Sequence, residues 1–159
     1  MALEDDMAVL ARVALFTTLG NEELRLIAFG AEPHDLPKGR LLCRAGETAD
    51  GAFVLISGSL ARLAENSLTN NSLAGDSETI DRHFAEPGTL IGELSLLTRC
   101  AWQTTIMAET SCRLLRLPRP LFRRILEEYP KAAFELRERL TADLSRKVHL
   151  MEVASKPLG

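Results

Sequence analysis

Hydrophobic positions along the chain change period twice. At the N-terminal end Leu3, Met7, Leu10 and Val13 recur at helical spacing, and Leu15-Phe16 closes that segment. Asn21 is placed as an N-cap, with Glu22 and Glu23 in the first turn. Leu24, Ile27 and Ala28 then form an apolar stripe that Gly30 stops. This pattern predicts a helical lead-in over residues 1–30.

From Ala31 the helical period gives way to short strand-like segments between turn signals. The segments are Glu32 to Leu36, Arg40 to Arg44, Ala52 to Ile56, Ser59 to Glu65, Thr79 to Phe84, Thr104 to Glu109 and Cys112 to Leu117. Pro37-Lys38-Gly39, Ala45-Gly46-Glu47, Ser57-Gly58 and Glu86-Pro87-Gly88 punctuate them. Strands this short and this regularly interrupted predict an antiparallel β-roll or jelly roll over residues 31–117. The polar, turn-rich run from Asn66 to Ser77 reads as a loop joining two strands of a hairpin.

Helical period returns after Pro118 and Pro120. Leu121, Phe122, Ile125 and Leu126 predict a helix to Tyr129, with Pro120 in its first turn. Pro130 opens a longer helix with a stripe of Ala133, Leu136, Leu140, Leu144, Val148 and Met151. Residues 118–152 are therefore read as C-terminal helices, and residues 1–159 as a single mainly-β domain with flanking α-helices. A helix this long exceeds what one small roll covers. Its stripe predicts a homodimer through the C-terminal helix, with packing back onto the roll as the alternative.

Composition narrows the function classes. The 159 residues are 46% hydrophobic and 26% charged, with a formal net charge of −3, which fits a globular chain and opposes a nucleic-acid surface. No apolar run approaches the ~20 residues of a membrane span. The acidic start Met1-Ala2-Leu3-Glu4-Asp5-Asp6 lacks the basic region of a secretory signal. Cys43, Cys100 and Cys112 have no CxxC spacing and read as reduced thiols. The expected location is the cytoplasm.

Catalytic patterns are sparse. His34, His83 and His149 lie in different elements with no metal-ligand spacing, and no G-x-S-x-G or phosphate-loop motif occurs. No catalytic residue, metal ligand or cofactor is expected, and a small jelly-roll enzyme is the most remote reading.

The stretch with candidate chemistry is Gly88-Thr89-Leu90-Ile91-Gly92-Glu93-Leu94-Ser95-Leu96-Leu97. Gly92 can take a left-handed backbone or let another group approach closely. Glu93 suits the positive start of a short helical turn. Two readings follow from the residues alone: an anion cradle of backbone N–H groups, or a tight strand-to-helix turn that buries Leu94, Leu96 and Leu97.

Gly92-Glu93-Leu94-Ser95-Leu96-Leu97, followed by Thr104-Thr105-Ile106-Met107-Ala108, resembles the phosphate-binding cassette of cyclic-nucleotide-binding domains, the effector domains of the catabolite-activator superfamily and of cAMP-dependent kinase regulatory subunits. Lys38-Gly39-Arg40-Leu41-Leu42 and Ala52-Phe53-Val54-Leu55-Ile56-Ser57-Gly58 are similar to the family's entry into its β-roll. The likeness covers roughly residues 12 to 150. It implies a non-catalytic regulatory or sensor domain whose ligand, a cyclic nucleotide or another small anion, would meet Gly92, Glu93, Leu94, Ser95, Trp102, Gln103 and Thr104. Glu93 would accept hydrogen bonds from a ribose hydroxyl.

The second half of the cassette departs from the family pattern. Trp102, or Gln103 if the loop is one residue longer, stands where the family places its phosphate-binding arginine, and Ala101 where it places a proline. Neither side chain carries charge, so the resemblance implies weak or absent binding of cAMP and cGMP. Arg99 is the nearest replacement cation. The superfamily's transcription factors continue into a DNA-binding domain, whereas this sequence stops at Gly159, so direct DNA binding is not expected. The alternative is a degenerate member acting through protein–protein contact alone.

Overall fold

The structure is a computed structural model that describes the backbone of residues 3–63 and 80–155, and the side chains of residues 5–63, 80 and 82–142. The polar loop expected between Asn66 and Ser77 lies outside these residues.

Two helices lead in: α1 (Leu3–Leu10) and α2 (Asn21–Gly30), with a 3-10 turn at Ala14–Phe16 between them. Leu10, Val13, Leu15, Phe16, Leu24 and Ile27 are all buried, as their spacing predicts. Two local expectations are corrected. Asn21 is the first helical residue and not the cap, since Gly20 occupies the cap position with extended backbone and no side-chain cap bond forms. Gly30 ends α2 for a packing reason and not through a left-handed cap. A Cβ there would stand 2.5 Å from Leu121 Cδ1, so glycine is what lets the C-terminal helix lie against α2.

Among the described residues ten strands follow: β1 (Glu32–Leu36), β2 (Leu41–Cys43), β3 (Thr48–Ala49), β4 (Gly51–Ser57), β5 (Leu60–Leu63), β6 (Ile80–Phe84), β7 (Leu90–Ile91), β8 (Cys100–Ala101), β9 (Thr105–Ala108) and β10 (Cys112–Pro118). They form sheets ordered β1-β10-β4-β7 and β2-β9-β5-β6, with β3 and β8 as a separate ribbon. Every described pair is antiparallel. The expected antiparallel β-roll is therefore present, its described strands running from Glu32 in β1 to Pro118 in β10.

Strand β4 explains how the roll joins the helices. Its continuous apolar run, Ala52-Phe53-Val54-Leu55-Ile56, lacks the alternation of a half-exposed strand. Ala52 and Val54 face the helical core with Leu10, Phe16 and Ile27. Phe53 and Leu55 face the roll interior with Leu60, Ile106 and Leu114. Strand β10 divides the same way: Leu115 and Leu117 join the helices, while Cys112 and Leu114 join the roll. Two covered faces require apolar residues at consecutive positions.

Helix α3 (Arg119–Glu128) and helix α4 (Pro130–Ser155) complete the fold. Ala132, Leu136 and Leu140 belong to the same buried cluster as Leu96, Val13 and Phe16. Arg139 donates to the Ala14 carbonyl and to Thr17 Oγ1, fastening α4 to the lead-in turn. Thus Leu140, expected to face a second copy, is buried in its own protomer, and Leu144, Val148 and Met151 lie beyond the described side chains. No described helix is long and apolar enough to cross a membrane.

Candidate functional site

The cassette stretch is a short strand, a left-handed glycine and one 3-10 turn. After β7, Gly92 takes φ 83° and ψ 33°, which reverses the chain into the turn Glu93–Leu96. An L-residue with a side chain disfavours that backbone, so the position calls for glycine. The Ser95 amide donates to the Gly92 carbonyl over 3.0 Å, and the Ser95 hydroxyl donates to the same oxygen over 2.6 Å. Ser95 is buried, so its hydroxyl closes the turn instead of facing outward. Leu96 anchors the turn in the helical core, and Leu94 is half-buried. Of the two readings of this stretch, the structure shows the tight strand-to-helix turn, with Leu96 buried beneath it and Leu94 and Leu97 half-buried.

Trp102 is the second half of the site. Its amide donates to the Glu47 carbonyl over 2.7 Å, and its carbonyl accepts from the Gly46 amide over 2.8 Å. These bonds hold it beside the β3–β8 ribbon. Its ring stacks on Phe53 with centroids 6.1 Å apart and planes 27° from parallel. His34 flanks the other aromatic partner, its ring 5.3 Å from Phe53. The tip of the indole lies against Gly92. A Cβ built there would stand 2.5 Å from Trp102 Cη2 and 2.6 Å from Cζ3. Gly92 thus answers two demands at once, a positive φ and an aromatic ring on its Cα.

The remaining expected residues take other places. Gln103 is exposed, Thr104 is half-buried, and the Thr104 carbonyl accepts from Cys43 Sγ at 3.5 Å. Arg99 does not reach the turn: its side chain is 77% exposed and its Nε stands 3.9 Å from Asp50 Oδ1. Glu93 is half-buried and lines an open cavity of about 390 Å³, whose other walls come from residues 12–15 and 86–90.

A cation that the motif spacing does not indicate touches the cassette turn. Arg119, at the start of α3, donates from Nε to the Ser95 carbonyl over 2.9 Å and from Nη2 to the Ala49 carbonyl over 3.0 Å. Its side chain is only 16% exposed, and Asp50 Oδ1 lies 4.0 Å away. It ties the turn, the β3–β8 ribbon and α3 together. The signal in the sequence is an arginine beside Pro118 and Pro120, between an apolar strand and an apolar helix.

Away from the cassette, His83 Nδ1 and the Ser59 hydroxyl both bond Glu109 Oε1, at 2.8 and 2.7 Å. These bonds hold the Glu109 carboxyl below the usual carboxylate range. Because both act on one carboxylate oxygen, with no histidine between serine and acid, the trio is not a nucleophile relay. Burial pushes the Cys43 thiol up to about 12.

Residues 33–129 match the family profile of the cyclic nucleotide-binding domain. Among solved structures, a cyclic nucleotide-binding-like protein from Brucella abortus is 36% identical, covering 78% of this chain and 99% of that one, with a TM-score of 0.65. The N-terminal domain of a transcriptional regulator from Streptomyces coelicolor is 26% identical, covering 90% and 94%, with a TM-score of 0.74. A lysophospholipase of Saccharomyces cerevisiae is 33% identical over 88 residues, 54% of this chain but only 5% of that enzyme's length. The profile match spans more than half of the chain and takes in the strands, the left-handed glycine and the turn just described: this protein belongs to the cyclic nucleotide-binding domain family.

Proposed function

We propose that the chain is a non-catalytic regulatory module of the cytoplasm in which an indole fills the place where a cyclic phosphate would sit, so that cAMP and cGMP bind weakly or not at all. One observation carries this reading. The Trp102 ring rests on Gly92, the first residue of the cassette, and is held there by Phe53 and two backbone bonds. A phosphate at that place must displace the ring. Neither Arg99 nor Arg119 is placed to meet it, since Arg99 is turned to Asp50 and Arg119 is bonded to two carbonyls. A hydrogen bond to a charged group is worth about 1.5–3 kcal/mol, so its loss costs roughly ten- to a hundred-fold in affinity. Three free thiols, two of them buried, support a reducing compartment.

Trp102 is the single tryptophan of the chain, so intrinsic fluorescence reports this place directly. Titration with cAMP or cGMP is expected to leave the emission maximum unchanged. A saturable shift at micromolar nucleotide would refute the plugged site.

A second reading, a module that works through protein contacts, is favoured by two exposed aromatics. Phe29 on α2 is 80% exposed and Phe134 on α4 is 67% exposed. Within this reading the partner is a second copy, met through the far part of the α4 stripe, where Leu144, Val148 and Met151 continue beyond the buried Leu140.

A further inference from the structure

An open cavity lies outside the roll. It is a cleft of about 390 Å³ between the lead-in segment and the turn that precedes β7. That volume is at the lower end of small-molecule sites, roughly 300–1,000 Å³. Both walls are fixed. On one, the Arg12 amide donates to the Val9 carbonyl over 2.9 Å, and Arg139 holds the Ala14 carbonyl from α4. On the other, the Gly88 amide donates to the Leu55 carbonyl over 2.8 Å, and Thr89 donates its amide and its hydroxyl to the Glu86 carbonyl. A cleft with fixed walls does not collapse when empty.

Its charges are complementary yet apart. Arg12 stands on the lead-in wall and Glu86 on the turn wall. Neither side chain has an ion-pair or hydrogen-bond partner among the described residues, and they do not bond each other. Buried Leu15 and half-buried Leu90 supply an apolar floor between them. A cation and a carboxylate without partners among the described residues, one on each wall of an apolar-floored cleft, match a molecule that carries both charges at one end and hydrocarbon at the other.

We infer that this cleft binds a zwitterionic small molecule, a free α-amino acid with an apolar side chain. Its carboxylate pairs with Arg12, its ammonium with Glu86, and its side chain covers Leu15 and Leu90. Glu93, the first residue of the cassette turn, lines the same cleft, so occupancy is sensed one residue from Gly92. The cleft shares Glu93 with the cassette turn but not Trp102, so Trp102 emission reads nucleotide binding separately from occupancy of the cleft.

The test is a thermal-shift screen of the intact chain against each standard amino acid at about 10 mM, followed by isothermal titration of any that stabilise it. An apolar amino acid is expected to raise Tm, with its N-acetyl and carboxamide derivatives at least roughly ten-fold weaker, since each loses one charged contact. Arg12→Gln and Glu86→Gln should each weaken binding to a similar degree while leaving the Tm of the free protein unchanged, because both side chains are exposed. Absence of any shift across the panel overturns the inference. So does a binder that tolerates both substitutions, or one that binds equally well after N-acetylation. Trp102 emission distinguishes this cleft from the cassette: nucleotide binding moves it, and amino-acid binding leaves it in place.

Discussion

At the scale of single residues, the account turns on how Gly92 and Trp102 fit together. Replacing Gly92 by alanine imposes a strained left-handed backbone and drives a methyl group into the indole. The expected cost is about 2–3 kcal/mol of unfolding free energy, the sum of a conformational and a steric contribution. In a Trp102→Ala background only the conformational part remains, so chemical denaturation of the four proteins of that cycle should give a coupling of about 1 kcal/mol. Additive costs would show that the ring does not rest on Gly92.

The His83–Glu109 pair yields a pH prediction. The folded-state pKa of Glu109 lies below its unfolded value, so its stabilising effect is present above the unfolded carboxylate range. It is lost as pH falls through the folded value. His83 is exposed, which limits the contribution to the 0.2–1 kcal/mol or so of surface pairs. Glu109→Gln should therefore lower stability by about 0.5 kcal/mol at pH 6, with the difference shrinking as pH falls below the unfolded carboxylate range. A difference that grows on acidification would contradict the assignment.

Among the elements, the cassette and most strands were readable because each has its own local code. Glycine turns mark the strand ends, and the Gly92-to-Leu97 run carries both a backbone requirement and a leucine pattern. The β3–β8 ribbon was not readable. Thr48–Ala49 and Cys100–Ala101 are two-residue strands, too short to show any period. Yet this ribbon positions Trp102. Arg119 was equally hidden, since its partners are backbone carbonyls 24 and 70 positions away, and no spacing rule encodes those. Gly30 has the look of a helix stop, but its reason is the Leu121 side chain from a distant helix.

Arg119 carries the element-scale prediction. It joins the cassette turn to the first residue of α3, so Arg119→Ala leaves two carbonyls without their donor. A loss of about 2 kcal/mol is expected in denaturant unfolding. Arg119→Lys should recover only part of it, because one ammonium lacks the planar fork that reaches both oxygens. Full recovery by lysine would show that charge alone matters here.

For the whole molecule, the two cores describe how a change at the cassette would travel. Leu96 belongs to the helical cluster that also holds Leu136 and Leu140 of α4, while Gly92 lies against Trp102 of the roll cluster, so the cassette turn touches both cores. The proposed second copy would meet the stripe that Leu144, Val148 and Met151 continue along the 26 residues of α4. Light scattering at tens of micromolar is expected to give twice the 17.5 kDa monomer mass, and Leu144→Glu to return it to one. A monomer in the unaltered protein would remove the proposed partner.

In the proposed reading Trp102, lying against Gly92, plugs the phosphate place of the cassette. Isothermal titration with cAMP and cGMP tests it most directly. The account predicts no measurable heat of binding up to about 100 μM nucleotide, the range left once the charged phosphate contact is lost. Micromolar binding by the unaltered protein, abolished by Glu93→Ala, would contradict it.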